Sequence, residues 1–298
     1  MIASQITWNP SEGIDLGFFV IRYYSLMFVI AFTIGWYLMK RIYNRENVSQ
    51  EKLDSIFIYT VIATLIGARL GHVLFYQTEL LWEDPLAVIL PIQTQPEFSF
   101  TGFRGLASHG AAIAVIIAMY FYAKNVLKKH VLWVLDRIVM PVAIGGVFVR
   151  LGNFFNSEMI GKPTNGDYGV IFAKYGETFA RHPGQLYEAA GYVIVFIILM
   201  LVYWKTEKRK QTGFIFGLFL TLLWSVRFIV EYIKVEQVTG REDWVLGLNT
   251  GQLLSIPFII AGIYFMFFYK RKKYFIIKPL LIMCKMWTII PTTKMCII

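Results

Sequence analysis

The stretch VLWVLDRIVMPVAIGGVFVRLG, residues 131–152, decides how this chain folds. It is long enough to cross a bilayer, which takes about 20 predominantly apolar residues in helical conformation. Yet it carries Asp136, Arg137 and Pro141 toward one end and Arg150 at the other. An arginine at the bilayer centre costs about 2.5–3.5 kcal/mol on the insertion scale, so such a helix is best lined by protein rather than lipid. That requires neighbours, and the sequence supplies six further apolar runs, at 18–39, 54–76, 106–123, 186–204, 213–232 and 252–269. The run at 213–232 also holds ionisable groups, Arg227 and Glu231, and is likewise expected to be lined by other helices.

Composition agrees with a bundle of spans. The 298 residues are 57% hydrophobic and only 16% charged, with a mean hydropathy of +0.56, which does not describe a soluble core. The expected fold is an all-α polytopic membrane protein: seven transmembrane helices with short extracytoplasmic arms or a head segment. Residues 1–269 read as a single membrane domain and 270–298 as a basic, then apolar, cytoplasmic tail. That tail is broken by Lys278, Pro279, Lys285 and Pro291 and is too interrupted for an eighth span.

The net charge of +10 does not point to nucleic acid, because the basic residues cluster at span ends. Connections on one side hold 16 Lys and Arg, among them Lys40, Arg41, Lys128, Lys129, Lys208, Arg209 and Arg271; the other side holds 6. The positive-inside rule places the first set in the cytoplasm, the amino terminus outside and the carboxy terminus inside. No cleavable signal peptide is expected, since the first basic residue is Arg22 and no positively charged segment precedes the first apolar run. Cys284 and Cys296 both lie in the tail, so neither a disulfide framework nor a cysteine metal cluster is expected. Four dispersed histidines make no metal site.

With that orientation, odd spans run inward and even spans outward. Arg69, His72, His109, Arg150, Arg227 and Glu231 then all fall toward the outer leaflet. Convergence of ionisable side chains at one depth predicts a site for an anionic molecule, most simply a phospholipid headgroup. The outer connections 77–105 and 153–185, rich in Gly, Pro, Asn and aromatics, read as loops or short amphipathic arms at the interface. No inverted repeat relates the two halves, which argues against a secondary transporter. A transporter of an anionic solute and a non-catalytic lipid-binding protein remain the alternatives at this stage.

Three motifs carry chemistry. In RLGNFFNSEMIGKP, residues 150–163, Arg150 and Asn153 share a helical face, and Gly152 permits close approach. Asn156 and Glu158 follow in a turn closed by Gly161 and Pro163. A guanidinium forks onto phosphate oxygens, and amides can hold ester and glycerol oxygens. The bland alternative is a helix exit with a snorkelling arginine. In RFIVE, residues 227–231, Arg227 and Glu231 stand one turn apart, either as an ion pair that eases insertion or as an arginine aimed at substrate by its own carboxylate. In GLASHGAA, residues 105–112, His109 lies among small residues at an outer helix start. It is a candidate proton acceptor near neutral pH, although a lone histidine is more often structural. His182 reads as a loop-locking residue, His72 as a neighbour of Arg69, and His130 as cytoplasmic and uninvolved. Nothing resembles a phosphate-cradling loop, a dinucleotide fingerprint or a nucleophile elbow, so no cofactor is expected and the energy of any reaction must lie in the substrate.

Taken together, these stretches resemble the bacterial prolipoprotein diacylglyceryl transferases. The resemblance is carried by RYYSLMF (22–28), GARLGHVLFY (67–76), SHG (108–110), the 150–163 block, HPGQLYE (182–188), RFIVE (227–231) and GQLLSIP (251–257), in family order from about Arg22 to Tyr269. The sequence departs from the family pattern in having Gly-Ala-Ala after His109 rather than Gly-Gly, and Lys162 where arginine is frequent. The resemblance implies a multi-pass enzyme of the bacterial cytoplasmic (inner) membrane. Such an enzyme moves the diacylglyceryl group of phosphatidylglycerol onto the lipobox cysteine of a preprolipoprotein signal peptide, releasing glycerol-1-phosphate. It implies catalytic roles for His109, Arg150 and Arg227, and substrate-binding roles for Tyr24, Asn153, Glu158 and Glu231; Arg69 and Asn156 join the binding set by position. His109 would be the base, or would act electrostatically on a thiolate favoured by the arginines.

Overall fold

The computed structural model describes residues 4–17, 20–90, 92–94, 97–100, 105, 107–164, 166, 168–235 and 247–269. In chain order the elements are β1 (Ser4–Trp8), β2 (Gly13–Asp15), β3 (Val20–Arg22), α1 (Tyr23–Arg45), α2 (Gln50–Tyr76), α3 (Leu80–Glu83), α4 (Pro85–Ile89), β4 (Ile92–Gln93), β5 (Ser99–Phe100), α5 (Ser108–Phe121), α6 (Val131–Phe155), β6 (Tyr168–Phe172), α7 (Gly184–Lys205), α8 (Phe214–Val230) and α9 (Thr250–Ile263). Helices α5 and α9 continue as π-helical turns, Tyr122–Leu127 and Tyr264–Phe268, and α8 continues as a 3-10 turn, Glu231–Ile233.

Seven of these helices are long and apolar enough to cross a membrane. All seven expected spans are present, with shifted ends. The largest shift is in the first, which begins at Tyr23 rather than near residue 18. Residues 20–22 of the expected span are instead a strand, in which Arg22 pairs with Gly13 and Val20 with Asp15, so strand pairing satisfies the backbone there. Helix α6 is 67% buried along its most apolar stretch against 11–33% for the other spans, as its internal charges require. The tail beyond Tyr269 and parts of the expected outer loops lie outside the described residues.

The chain divides into two compact units. Residues 39–135 form one. Here α2 and α5 pack backbone to backbone through Gly67-x-x-x-Gly71 and Gly110: a Cβ on Gly71 would lie 2.6 Å from the Cα of Gly110. Small residues let membrane helices approach this closely, where van der Waals contact replaces a hydrophobic driving force. Buried Tyr43 and Tyr122 share a hydroxyl hydrogen bond of 3.1 Å. The connection after α2 forms a short arm, in which Asp84 caps α4 and accepts from the Thr94 amide at 2.6 Å. Exposed Trp82, Leu86 and Ile89 give the arm an apolar face suited to the bilayer interface.

Residues 1–38 and 136–298 form the other unit. Helices α7, α8 and α9 pack in sequence, with Trp224 stacked on Phe258 at 4.1 Å. Strand β1 pairs in parallel with β6, and Trp8 donates to the Phe154 carbonyl, fastening the amino-terminal strand over the end of α6.

Candidate active site

The 150–163 segment is held in shape by its backbone. After α6 ends, Ser157 and Met159 take left-handed conformations (both φ 58°), and the Glu158 amide folds back to the Asn153 carbonyl at 2.8 Å. The Tyr175 hydroxyl braces the turn by donating to the Ser157 carbonyl at 2.7 Å. Gly161 sits where a Cβ would come within 2.9 Å of the Ile233 carbonyl oxygen, and its amide donates to the His182 carbonyl. Lys162 donates to Ile233 at 2.7 Å and accepts from the His182 amide, so residues 156–163, 180–183 and 231–235 form one knitted layer. His182 thus locks the loop, as its setting in the sequence predicts.

Side chains complete the site. The Arg150 guanidinium donates to Asn153 Oδ1 at 3.0 Å; the Asn153 amide donates to Glu158 at 3.2 Å, and the Asn156 amide to the same carboxylate at 3.1 Å. Tyr24 lies beside them, its ring 2.8 Å from where a Cβ on Gly152 would stand. Residues expected from the sequence to act together, Tyr24, Arg150, Asn153, Asn156 and Glu158, are therefore in one constellation.

Behind them runs a chain of alternating charges. Arg150 Nε lies 2.5 Å from Glu188 Oε2; Glu188 Oε1 is 3.1 Å from Lys234 Nζ; Lys234 Nζ is 3.0 Å from Glu231 Oε1; and Glu231 Oε1 is 3.9 Å from Arg227 Nη2. The three inner side chains are 0–7% exposed, whereas the terminal arginine side chains are 12% (Arg150) and 25% (Arg227) exposed. Three cations against two carboxylates leave this chain with one net positive charge. The next carboxylate, Glu158, is exposed and reaches Arg150 only through Asn153, so the excess within the directly paired chain sits at its partly exposed ends and suits an anion. Gly251 makes room for the Glu231 carboxylate, with its Cβ position 2.7 Å from Oε2, and Asn249, the cap of α9, donates to the Glu231 carbonyl at 3.0 Å. Arg227 also lies over the Trp224 ring at 4.9 Å.

The structure changes two emphases of the sequence reading. The Arg227–Glu231 pair exists but is long, and Glu231 has a nearer partner in Lys234. Glu188 and Lys234 carry the network although neither stood among the expected site residues. Glu188 was visible only within the HPGQLYE stretch and Lys234 only as a basic residue in an outer connection; their pairing joins elements 46 positions apart.

The remaining expected residues belong to the 39–135 unit. Arg69 donates to the Ala87 carbonyl of α4 at 2.6 Å, a bond that anchors the arm. His72 bonds the Gln77 side chain at 3.1 Å. His109 is exposed in the first turn of α5. Among the described residues, no group of three or more His, Cys, Asp or Glu is placed to hold a metal ion.

Comparison with known proteins bears on this constellation. The family model for prolipoprotein diacylglyceryl transferase matches residues 12–268. A phosphatidylglycerol–prolipoprotein diacylglyceryl transferase of Tolumonas auensis is 40% identical over 270 residues, covering 90% of this chain and 99% of that protein. Those of Bacteroides fragilis (40% identity, 90% and 97% coverage) and Chloroherpeton thalassium (38%, 89% and 94%) are similar to nearly the same extent. With the match running through every element that builds the charged chain, this protein belongs to the prolipoprotein diacylglyceryl transferase family.

Proposed function

We propose that this protein transfers the diacylglyceryl group of phosphatidylglycerol to the lipobox cysteine of preprolipoproteins, the first step of lipoprotein maturation. Residues 1–269 serve as the catalytic membrane domain in this reading, and 270–298 as a cytoplasmic tail. The one observation that carries the chemistry is the Arg150–Glu188–Lys234–Glu231–Arg227 chain, with its surplus positive charge and its guanidiniums at the more open ends. A phosphodiester bears one negative charge and matches the surplus.

In the reaction the cysteine thiol gives up its proton, and the sulfur lone pair forms a C–S bond to the terminal glyceryl carbon of the diacylglyceryl group. The C–O bond to phosphate breaks, and its electron pair leaves on glycerol-1-phosphate. A free thiol with a pKa of about 8.5 is mostly protonated at neutral pH, so a proton acceptor is needed; His109 is assigned that role. Charge on the phosphate grows as the C–O bond breaks, and Arg150 and Arg227 are assigned to stabilise it by forked hydrogen bonds. Asn153, Asn156, Glu158 and Tyr24 position the headgroup and Arg150; Glu231 orients Arg227; Arg69 is assigned to substrate binding.

Family membership supports residence in the bacterial inner membrane, and the distribution of basic residues supports an extracytoplasmic amino terminus, with Arg150 toward the leaflet from which exported substrates emerge. Reporter fusions after Lys208 should be cytoplasmic and those after Glu177 external. The reaction is tested by incubating purified protein with phosphatidylglycerol labelled in its acyl chains and a lipobox peptide. Label on the peptide with stoichiometric glycerol phosphate is expected; lipid binding without transfer would reduce the protein to a lipid-binding module.

A further inference from the structure

Lys234 is the centre of the charged chain and has no part in the transfer as derived above. Its ammonium is 3.1 Å from Glu188 and 3.0 Å from Glu231, and its side chain is 2% exposed. The two carboxylates come from different elements, Glu188 from the first turns of α7 and Glu231 from the turn that ends α8. Each also contacts one of the two arginines assigned to phosphate. An ammonium has three donors, enough to serve both carboxylates at once. The backbone around Lys234 is fixed as firmly as its side chain: Gly161 pairs with Lys234, the Val235 amide donates to Ile160 at 3.3 Å, and the lysine stem lies over Gly184, whose Cβ position is 3.4 Å from Lys234 Cγ.

We propose that Lys234 is a positioning residue for the transfer reaction, holding Glu188 and Glu231 together so that Arg150 and Arg227 are set at one spacing with charge to spare for a phosphate. The proposal rests on the function above. Remove the cation, and two buried carboxylates face each other and the two arginines with no surplus charge. Each carboxylate then neutralises its own guanidinium, and the forks turn inward. The substrate phosphodiester carries one negative charge, and the departing monoester approaches two. The loss is therefore greater in the transition state than in the bound lipid, and it falls on kcat more than on KM.

The test compares Lys234→Met, Lys234→Gln and Lys234→Arg with the parent protein in detergent, on the monodisperse fraction, by kcat and KM for phosphatidylglycerol and by melting temperature. Lys234→Met should lose kcat by about 100-fold, the scale of a misplaced catalytic group, with a much smaller rise in KM. If that variant does not fold, Lys234→Gln carries the same expectation, since it keeps donors but not charge. Lys234→Arg should retain most of the activity. Parental kcat per folded molecule in the neutral variants, with only a lowered melting temperature, would make Lys234 a stability residue and overturn the proposal. A folded Lys234→Arg as inactive as the neutral variants would overturn it too. Failure of the parent protein to transfer at all would instead overturn the reaction assignment.

Discussion

Helix α6 buries charge at both ends, and the two ends treat it differently. Near its start, Asp136 is fully buried and accepts from the backbone amides of Gly213 at 2.7 Å and Phe216 at 2.9 Å, the free donors at the start of α8. Arg137 lies beside it, 3.9 Å away, and reaches the Arg209 carbonyl at 3.5 Å. Acid and helix end satisfy each other locally, with the base close by. At the other end Arg150 joins a directly paired chain of three cations and two carboxylates that does not balance, and its side chain keeps partial exposure. Ionisable residues in a span are thus not a functional signal by themselves. Surplus charge at an accessible edge is the feature that separates a site from a helix cap. The contrast also weakens the transporter alternative, because the charges near the start of α6 are committed to capping rather than to a path.

The comparison can be broken from either end. The largest effect is expected at Arg150: replacement by lysine keeps the charge but removes the planar fork, and should cut kcat by about 10²–10³-fold, as for loss of an oxyanion donor. That loss should be the same at every pH between 6 and 9. His109→Ala should cost about 10²-fold at neutral pH, but in a pH-dependent way: as the pH approaches the thiol pKa of about 8.5, the nucleophile ionises unaided and the deficit should shrink. A pH-independent deficit would remove His109 as base. Asp136→Ala should do the opposite of Arg150→Lys, lowering the unfolding free energy by about 1–3 kcal/mol through two unpaired amides, with kcat per folded molecule unchanged. A kcat defect there would erase the distinction between the two ends.

The smallest effect is expected at Tyr175, whose hydroxyl braces the turn at Ser157. Burial, with help from Glu158 and Glu177, holds this hydroxyl's pKa above its ordinary value of 10. It therefore stays a protonated donor, and its stabilising bond is present below pH 10 and lost only as pH rises through the raised folded-state pKa. Tyr175→Phe should lower stability by about 1 kcal/mol and activity by a few-fold, by a factor constant from pH 6 to 9.

Much of this was legible before the structure. Apolar runs of bilayer length located every span, and the spacing of Arg150, Asn153 and Glu158 predicted their grouping, because residues three apart on a helix share a face. The start of α1 was not legible: Val20–Arg22 is as apolar as the helix after it, and only its pairing with Gly13–Asp15 makes it a strand. Nor was the parallel pairing of β1 with β6, which joins residues more than a hundred positions apart. Partner choice within the charged chain was hidden for the same reason. Periodicity places Glu231 one turn from Arg227 but cannot tell that Lys234 lies closer, or that Glu188, from another helix, takes Arg150. Close packing of Gly71 on Gly110 likewise depends on which helices meet.

The central claim is that both ends of the charged chain act on one phosphate. A double-mutant cycle of Arg150→Lys and Arg227→Lys, read as kcat/KM for phosphatidylglycerol in folded protein, tests it most directly. If the two guanidiniums grip the same group, the second substitution should add little to the first, and the double variant should be far more active than the product of the single losses predicts. Losses that multiply in full would show two independent sites of action and contradict the account.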